Sequence, residues 1–82
     1  CIRDRILEAL QFFRTAKGAD DLLTAASERH LAFVYAGEER FAEAERLLTH
    51  VLAIYERELP AGHPATEQVR QNLAYARRAL AQ

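Results

Sequence analysis

Hydrophobic residues recur every three or four positions along most of the chain, which is the period of an amphipathic α-helix. The pattern predicts four helices, over about residues 2–17, 20–36, 40–59 and 63–80. The side chains predicted to face inward are, helix by helix, Ile2, Ile6, Ala9, Leu10 and Phe13; Leu23, Ser27, Leu31, Val34 and Tyr35; Phe41, Ala44, Leu48, Val51 and Tyr55; and Val69, Leu73, Ala76 and Leu80. Val, Ile and Thr are sparse, which argues against a sheet. The sequence therefore predicts an all-α fold.

Short turn signals separate the predicted helices. Gly18 and Gly37 each follow a helical stretch and are predicted to end it, as glycine commonly does. Asp20 or Asp21 is expected to cap the second helix, and His63, which precedes a proline, suits the start of the fourth. Because the connection after Gly37 is so short, the second and third helices must form an antiparallel hairpin.

Composition and charge limit the possible partners. The formal net charge is −1, with both signs mixed along the chain, so no basic surface for nucleic acid or anionic lipid is expected. No apolar run approaches the ~20 residues of a membrane span, and the residues show no signal-peptide pattern. Cys1 has no second cysteine to pair with, which favours a cytoplasmic location, and at the terminus it is a poor candidate nucleophile. Because the chain contains no Met, we expect a fragment of a longer protein.

Few side chains are spaced as catalytic or metal sites require. No two of the three histidines, His30, His50 and His63, lie four residues apart, and no zinc-ligand spacing occurs. A lone histidine on an amphipathic helix is more often a partly exposed structural residue. Four carboxylates surround the second turn: Glu38, Glu39, Glu43 and Glu45. A solvated helix start explains them better than acid–base chemistry. The sequence predicts no catalysis, no cofactor and no metal.

Small and large apolar residues around the second turn have a recognisable spacing. Leu31-Ala32-x-x-Tyr35, followed by Ala44-x-x-x-Leu48, resembles the tetratricopeptide repeat. In that pattern the small side chains of Ala32 and Ala44 let the two helices of a hairpin approach closely. The resemblance implies helical hairpins stacked in a short superhelical array.

The repeat period is longer than the usual ~34 residues. Sliding the chain by 42 residues superimposes Leu10 on Leu52, Thr24 on Thr66, Leu31 on Leu73 and Phe33 on Tyr75. With the His63-Pro64-x-Thr66 segment, this looks like the kinesin-light-chain subtype, although Glu28 stands where the general repeat has Trp. The implied division is a second helix of a preceding repeat over 1–18, a complete repeat over 20–60 and a closing helix over 63–82.

The resemblance also implies a binding surface, because the first helix of each hairpin lines a concave groove that holds extended peptides. The matching positions here are Arg29, His30, Phe33, Gln68, Gln71, Asn72, Tyr75 and Arg78, with Ala26 beside them. Their amide and guanidinium groups can hydrogen-bond a peptide, and the two aromatic rings offer flat apolar area. The expected function is a non-catalytic scaffold for a protein or peptide partner.

Three alternatives remain open at this point. The groove positions are equally well explained as ordinary exposed helix residues. A structural role is also possible, in which copies of the chain form a homo-oligomer through Ile6, Phe12 and Phe13. The third alternative is a regulatory repeat segment attached to a larger signalling ATPase.

Overall fold

A computed structural model describes residues 2–82, so the predictions made for Cys1 lie outside the described residues. It contains four helices: α1 (Ile2–Lys17), α2 (Leu22–Gly37), α3 (Phe41–Glu58) and α4 (Pro64–Ala81). Within residues 2–82 there is no strand. The prediction of an all-α stack of helical hairpins is confirmed.

The helices pack in their order along the chain, α1 on α2, α2 on α3 and α3 on α4. The resulting layer is thin, with principal extents of 39 × 35 × 15 Å. Because the layer is thin, every helix keeps a side that faces solvent.

The core lies between α2, α3 and α4. Ala32 and Ala44, predicted as the small residues of the hairpin contact, are 1% and 0% exposed. Val51, Ile54 and Val69 belong to the same core cluster and are also fully buried. Burial of each such branched side chain stabilises the fold by about 1.5–3 kcal/mol. The close approach of the helices therefore rests on small residues, with larger side chains filling the space around them.

Several side chains predicted to face inward are exposed instead. Ile2, Leu23 and Leu80 are 71%, 48% and 45% exposed, because each lies in a terminal turn that no neighbouring helix covers. Ala9 is also exposed, and Leu10 is the one buried residue of α1. As a result, α1 is held by much less apolar contact than the other helices.

The α1–α2 turn follows the predicted chemistry. Gly18 has φ +98°, which suits the residue that ends α1. Asp21, rather than Asp20, caps α2, because its Oδ1 accepts a hydrogen bond from the Leu23 amide at 2.8 Å. Asp20 is left free to make other contacts.

The α2–α3 turn differs from the prediction for Gly37. This glycine is the last residue of α2, and the left-handed residue is Glu39, with φ 63°. The Glu39 amide donates to the Ala36 carbonyl, and the Arg40 amide donates to the Tyr35 carbonyl at 2.8 Å. The helix therefore extends through its glycine, and a glutamate adopts the conformation that glycine was expected to supply.

Candidate functional site

A groove runs between α2 and α4 and consists of two joined depressions. The deeper one has a volume of about 240 Å³ and is lined by Ala32, Phe33, Ala36, Gly37, Leu48, Asn72, Tyr75 and Ala76. The other, of about 320 Å³, is lined by Arg29, His30, Phe33, Gln68 and Asn72. Phe33 and Asn72 line both, so the two depressions are continuous. We call this surface the α2–α4 groove.

Helical spacing explains why these residues share one surface. Positions 29, 32, 33 and 36 follow one side of α2, and positions 68, 72, 75 and 76 follow one side of α4. The sequence therefore places one stripe of groove residues on α2 and another on α4, and α3 lies between these two helices.

The floor of the deeper depression is apolar. Ala32 and Ala76 are each 1% exposed, and Leu48 of α3, 4% exposed, closes the floor from below. The sequence predicts Ala32 only as a helix-packing residue and does not predict this floor. Recurring small residues, such as Ala32 and Ala36 beside the large Phe33, are the signal that could have indicated a depression.

Two aromatic side chains border the floor. Phe33 is 77% exposed and Tyr75 is 57% exposed. The Tyr75 ring packs edge-on against Phe41 of α3, with ring centroids 5.9 Å apart and planes at 67°. Edge-to-face pairing is a favoured arrangement of aromatic rings, and it leaves more than half of Tyr75 exposed.

The shallower depression is polar. The Gln68 side-chain amide donates a hydrogen bond to Asn72 Oδ1 at 3.3 Å, which leaves further amide groups for a ligand. Arg29 and His30 line the same depression, and no Asp or Glu lines either one. The groove thus combines an apolar floor with hydrogen-bonding groups and a cation.

Comparison with known families decides the class of protein. A family model of the tetratricopeptide repeat matches residues 2–57 and again residues 23–82. The chain belongs to the tetratricopeptide repeat family. Repeats of this family are generally protein–protein interaction modules and typically have no catalytic activity. None of the curated proteins compared with the chain matches it significantly.

The tetratricopeptide helices bring together most of the predicted groove residues. Those that line the α2–α4 groove are Arg29, His30, Phe33, Gln68, Asn72 and Tyr75. Gln71 and Arg78 are exposed but line neither depression. At 100° per residue they lie about 60–80° further round α4 than Gln68, outside the stripe that lines the groove.

The tetratricopeptide fold also contains a polar cluster that the sequence did not predict. Glu28 of α2 is only 3% exposed. Arg14 Nη2 donates to its Oε2 at 3.0 Å, and His50 Nδ1 lies 2.6 Å from its Oε1. The other ring nitrogen of His50 lies 3.0 Å from Asp20 Oδ1. His50 is therefore a partly exposed structural histidine, as expected, but its partners come from segments far away in sequence.

Across residues 2–82, no group of three or more His, Cys, Asp and Glu side chains could hold a metal ion. No helix in the same range is long and apolar enough to span a membrane.

Proposed function

We propose that the chain is a non-catalytic interaction module that holds an extended peptide, or an edge of a neighbouring domain, in the α2–α4 groove. The observation that carries this proposal is the pair of exposed aromatic rings, Phe33 and Tyr75, beside a buried floor of small side chains. Concave apolar surface with a few convergent polar groups is typical of a binding site.

The chemistry of the groove indicates the kind of peptide it would hold. An apolar side chain of the peptide fits the depression above Ala32 and Ala76, between the two rings. Gln68 and Asn72 would hydrogen-bond the peptide main chain. Because Arg29 is not balanced by a lining carboxylate, an acidic residue at that end of the peptide is favoured.

The experiment is a selection of random peptides displayed on phage, followed by affinity measurements on the selected peptides. The double variant Phe33→Ala and Asn72→Ala should weaken their binding by about tenfold or more, since buried aromatic contacts dominate interface energies. The matched control is Phe12→Ala with Gln71→Ala, which removes an exposed phenylalanine and an amide outside the groove. Circular dichroism checks that both variants are folded. Unchanged peptide affinity in the first variant, or an equal loss of affinity in the control, would contradict peptide binding in the groove.

We also propose that the repeat is of the kinesin-light-chain-like subtype with a 42-residue period, divided at residues 1–18, 20–60 and 63–82. Equivalent positions in this frame support it. Leu31 and Leu73 are each 3% exposed, and Phe33 and Tyr75, also one period apart, line the same depression. A circular dichroism melt of residues 20–82 alone tests the division, which predicts a cooperative transition without the first helix.

A second candidate function is self-association through α1. Phe12 is 65% exposed and, with Ile2 at 71%, gives α1 an apolar outer side. Ile6 and Phe13, which the sequence also suggested, are half-buried and would contribute less. Light scattering over a range of concentrations tests this function: a rising mass that Phe12→Ala abolishes supports it, and a strict monomer rejects it.

A further inference from the structure

His50 on α3 lies between two carboxylates that belong to earlier segments of the chain. Its Nδ1 is 2.6 Å from Glu28 Oε1 on α2, and its Nε2 is 3.0 Å from Asp20 Oδ1 in the α1–α2 turn. Ionised carboxylates only accept hydrogen bonds, and a neutral imidazole has one N–H to donate. Both contacts are therefore hydrogen bonds only when the ring is protonated and donates from both nitrogens.

We propose that His50 is a proton-dependent clasp that fastens the α1–α2 turn to α3. In the closed clasp, the protonated ring donates a hydrogen bond to each carboxylate. When the ring loses its proton, it keeps the hydrogen bond to one carboxylate and loses the other. The Glu28 side chain is 4% exposed, so water cannot replace the His50 ring as its hydrogen-bond partner. The Asp20 side chain is 65% exposed, so water can replace the ring there. The contact that opens is the one to Asp20.

Two arginines complete the set of charges around the clasp. Arg14 of α1 donates to Glu28 Oε2 at 3.0 Å, and Arg57 of α3 donates to the main-chain carbonyl of Asp20 at 2.9 Å. Arginine keeps its charge throughout the neutral range, so neither contact titrates there. When His50 releases the Asp20 side chain, Arg57 still holds the Asp20 main chain. The turn loosens but does not detach.

The direction of the pH response follows from the surroundings of the ring. Partial burial is the largest influence and lowers the pKa of His50, but the hydrogen bonds and charges of Asp20 and Glu28 together outweigh it. The pKa of His50 is therefore raised above its ordinary value of about 6.5. Because the folded state binds the proton more tightly, protonated His50 stabilises the fold, and this stabilisation is complete at pH values below the unfolded pKa. It is lost as the pH rises through the pKa of the folded state. The clasp is closed in mild acid and open in mild alkali.

The clasp acts on the joint between α1 and the α2–α3 hairpin. In a repeat array each hairpin contacts only its neighbours, so such joints set the curvature of the whole array. No residue of the clasp lines the α2–α4 groove. The clasp is thus independent of peptide binding and gives the chain a pH-dependent joint.

Hydrogen exchange tests the clasp. Protection factors of the amides at residues 18–24, corrected for intrinsic exchange, are compared at about pH 6 and about pH 8.5. On raising the pH, they should fall about two- to fivefold relative to the amides of α3, the range expected for a largely exposed ion pair. Asp20→Asn and His50→Gln should each abolish that difference.

The matched control is His30→Gln, which removes an exposed histidine that lines the groove and should respond to pH as the wild type does. Because Asp20 is exposed, Asp20→Asn keeps the fold even if His50→Gln does not. A ring titration followed by NMR should also show the pKa of His50 falling in Asp20→Asn. A wild type without the pH response, or an Asp20→Asn variant that retains it, would overturn the proposal.

Discussion

Arg14 of α1 donates a hydrogen bond to Glu28 of α2 at 3.0 Å, yet the two side chains differ sharply in exposure, at 43% and 4%. Arginine can return to water when the pair is broken, and the glutamate cannot. The two residues therefore contribute unequally to stability, because an unpaired buried charge is more costly than an unpaired exposed one.

Substitution of Arg14 tests this asymmetry. Arg14→Met should lower the free energy of unfolding by about 1–3 kcal/mol, because Glu28 stays buried with only His50 to bind it. Adding Glu28→Met should restore at least half of the loss, since apolar replacement of both partners is often neutral. Urea unfolding followed by circular dichroism gives both values. A double variant no more stable than Arg14→Met alone would contradict the argument.

Two threonines 42 residues apart form a matched pair. Thr24 Oγ1 donates to the Gly18 carbonyl at 2.7 Å, whereas the buried Thr66 Oγ1 has no hydrogen-bond partner among residues 2–82. Thr24→Val should lose about 1 kcal/mol of stability, because it removes a hydrogen bond to the α1–α2 turn. Thr66→Val should be at least as stable as the wild type, since a methyl group replaces an unpaired hydroxyl. Thermal melts of the two variants side by side check this, and equal losses would disprove it.

The backbone of the two turns gives a second matched pair. Glu39→Gly should stabilise the protein by about 0.5 kcal/mol, because relief of a left-handed glutamate outweighs the added freedom of the unfolded chain. Gly18→Ala should destabilise it by about 1 kcal/mol, although nothing lies within 4 Å of an added Cβ, since the cost is the left-handed backbone alone. Chemical unfolding measures both. The two substitutions should change the free energy of unfolding in opposite directions. A stabilising Gly18→Ala would contradict the left-handed conformation of Gly18.

A stability comparison separates the groove rim from its floor. Phe33 is 77% exposed and Leu48 is 4% exposed, although both line the deeper depression. Phe33→Ala should change the free energy of unfolding by less than about 0.5 kcal/mol, and Leu48→Ala should lower it by about 2–5 kcal/mol. Equilibrium unfolding in urea distinguishes the two. A large loss for Phe33→Ala would show that this ring supports the fold.

The sequence predicted those features that depend on neighbours along the chain. The helices, the cap near Asp21 and the small pair Ala32 and Ala44 all follow from local spacing, and the structure contains each of them. The groove residues came from positions in the repeat, so Gln71 and Arg78 were included with the rest, although they line neither depression. Contacts between distant segments could not be predicted, since Glu28 and His50 meet only after α2 and α3 have packed. The left-handed Glu39 was missed because rules of local conformation favour glycine there.

The α2–α4 groove takes all its lining residues from α2, α3 and α4, and none from α1. Since α1 contacts chiefly α2 and has one buried residue, it should be the first helix to open when the molecule unfolds locally. Such a partly open molecule retains the complete α2–α4 groove. If the groove holds a peptide as proposed, capture of the peptide would not require the whole chain to be folded, and the bound peptide would stabilise α2–α4 without protecting α1 from proteases.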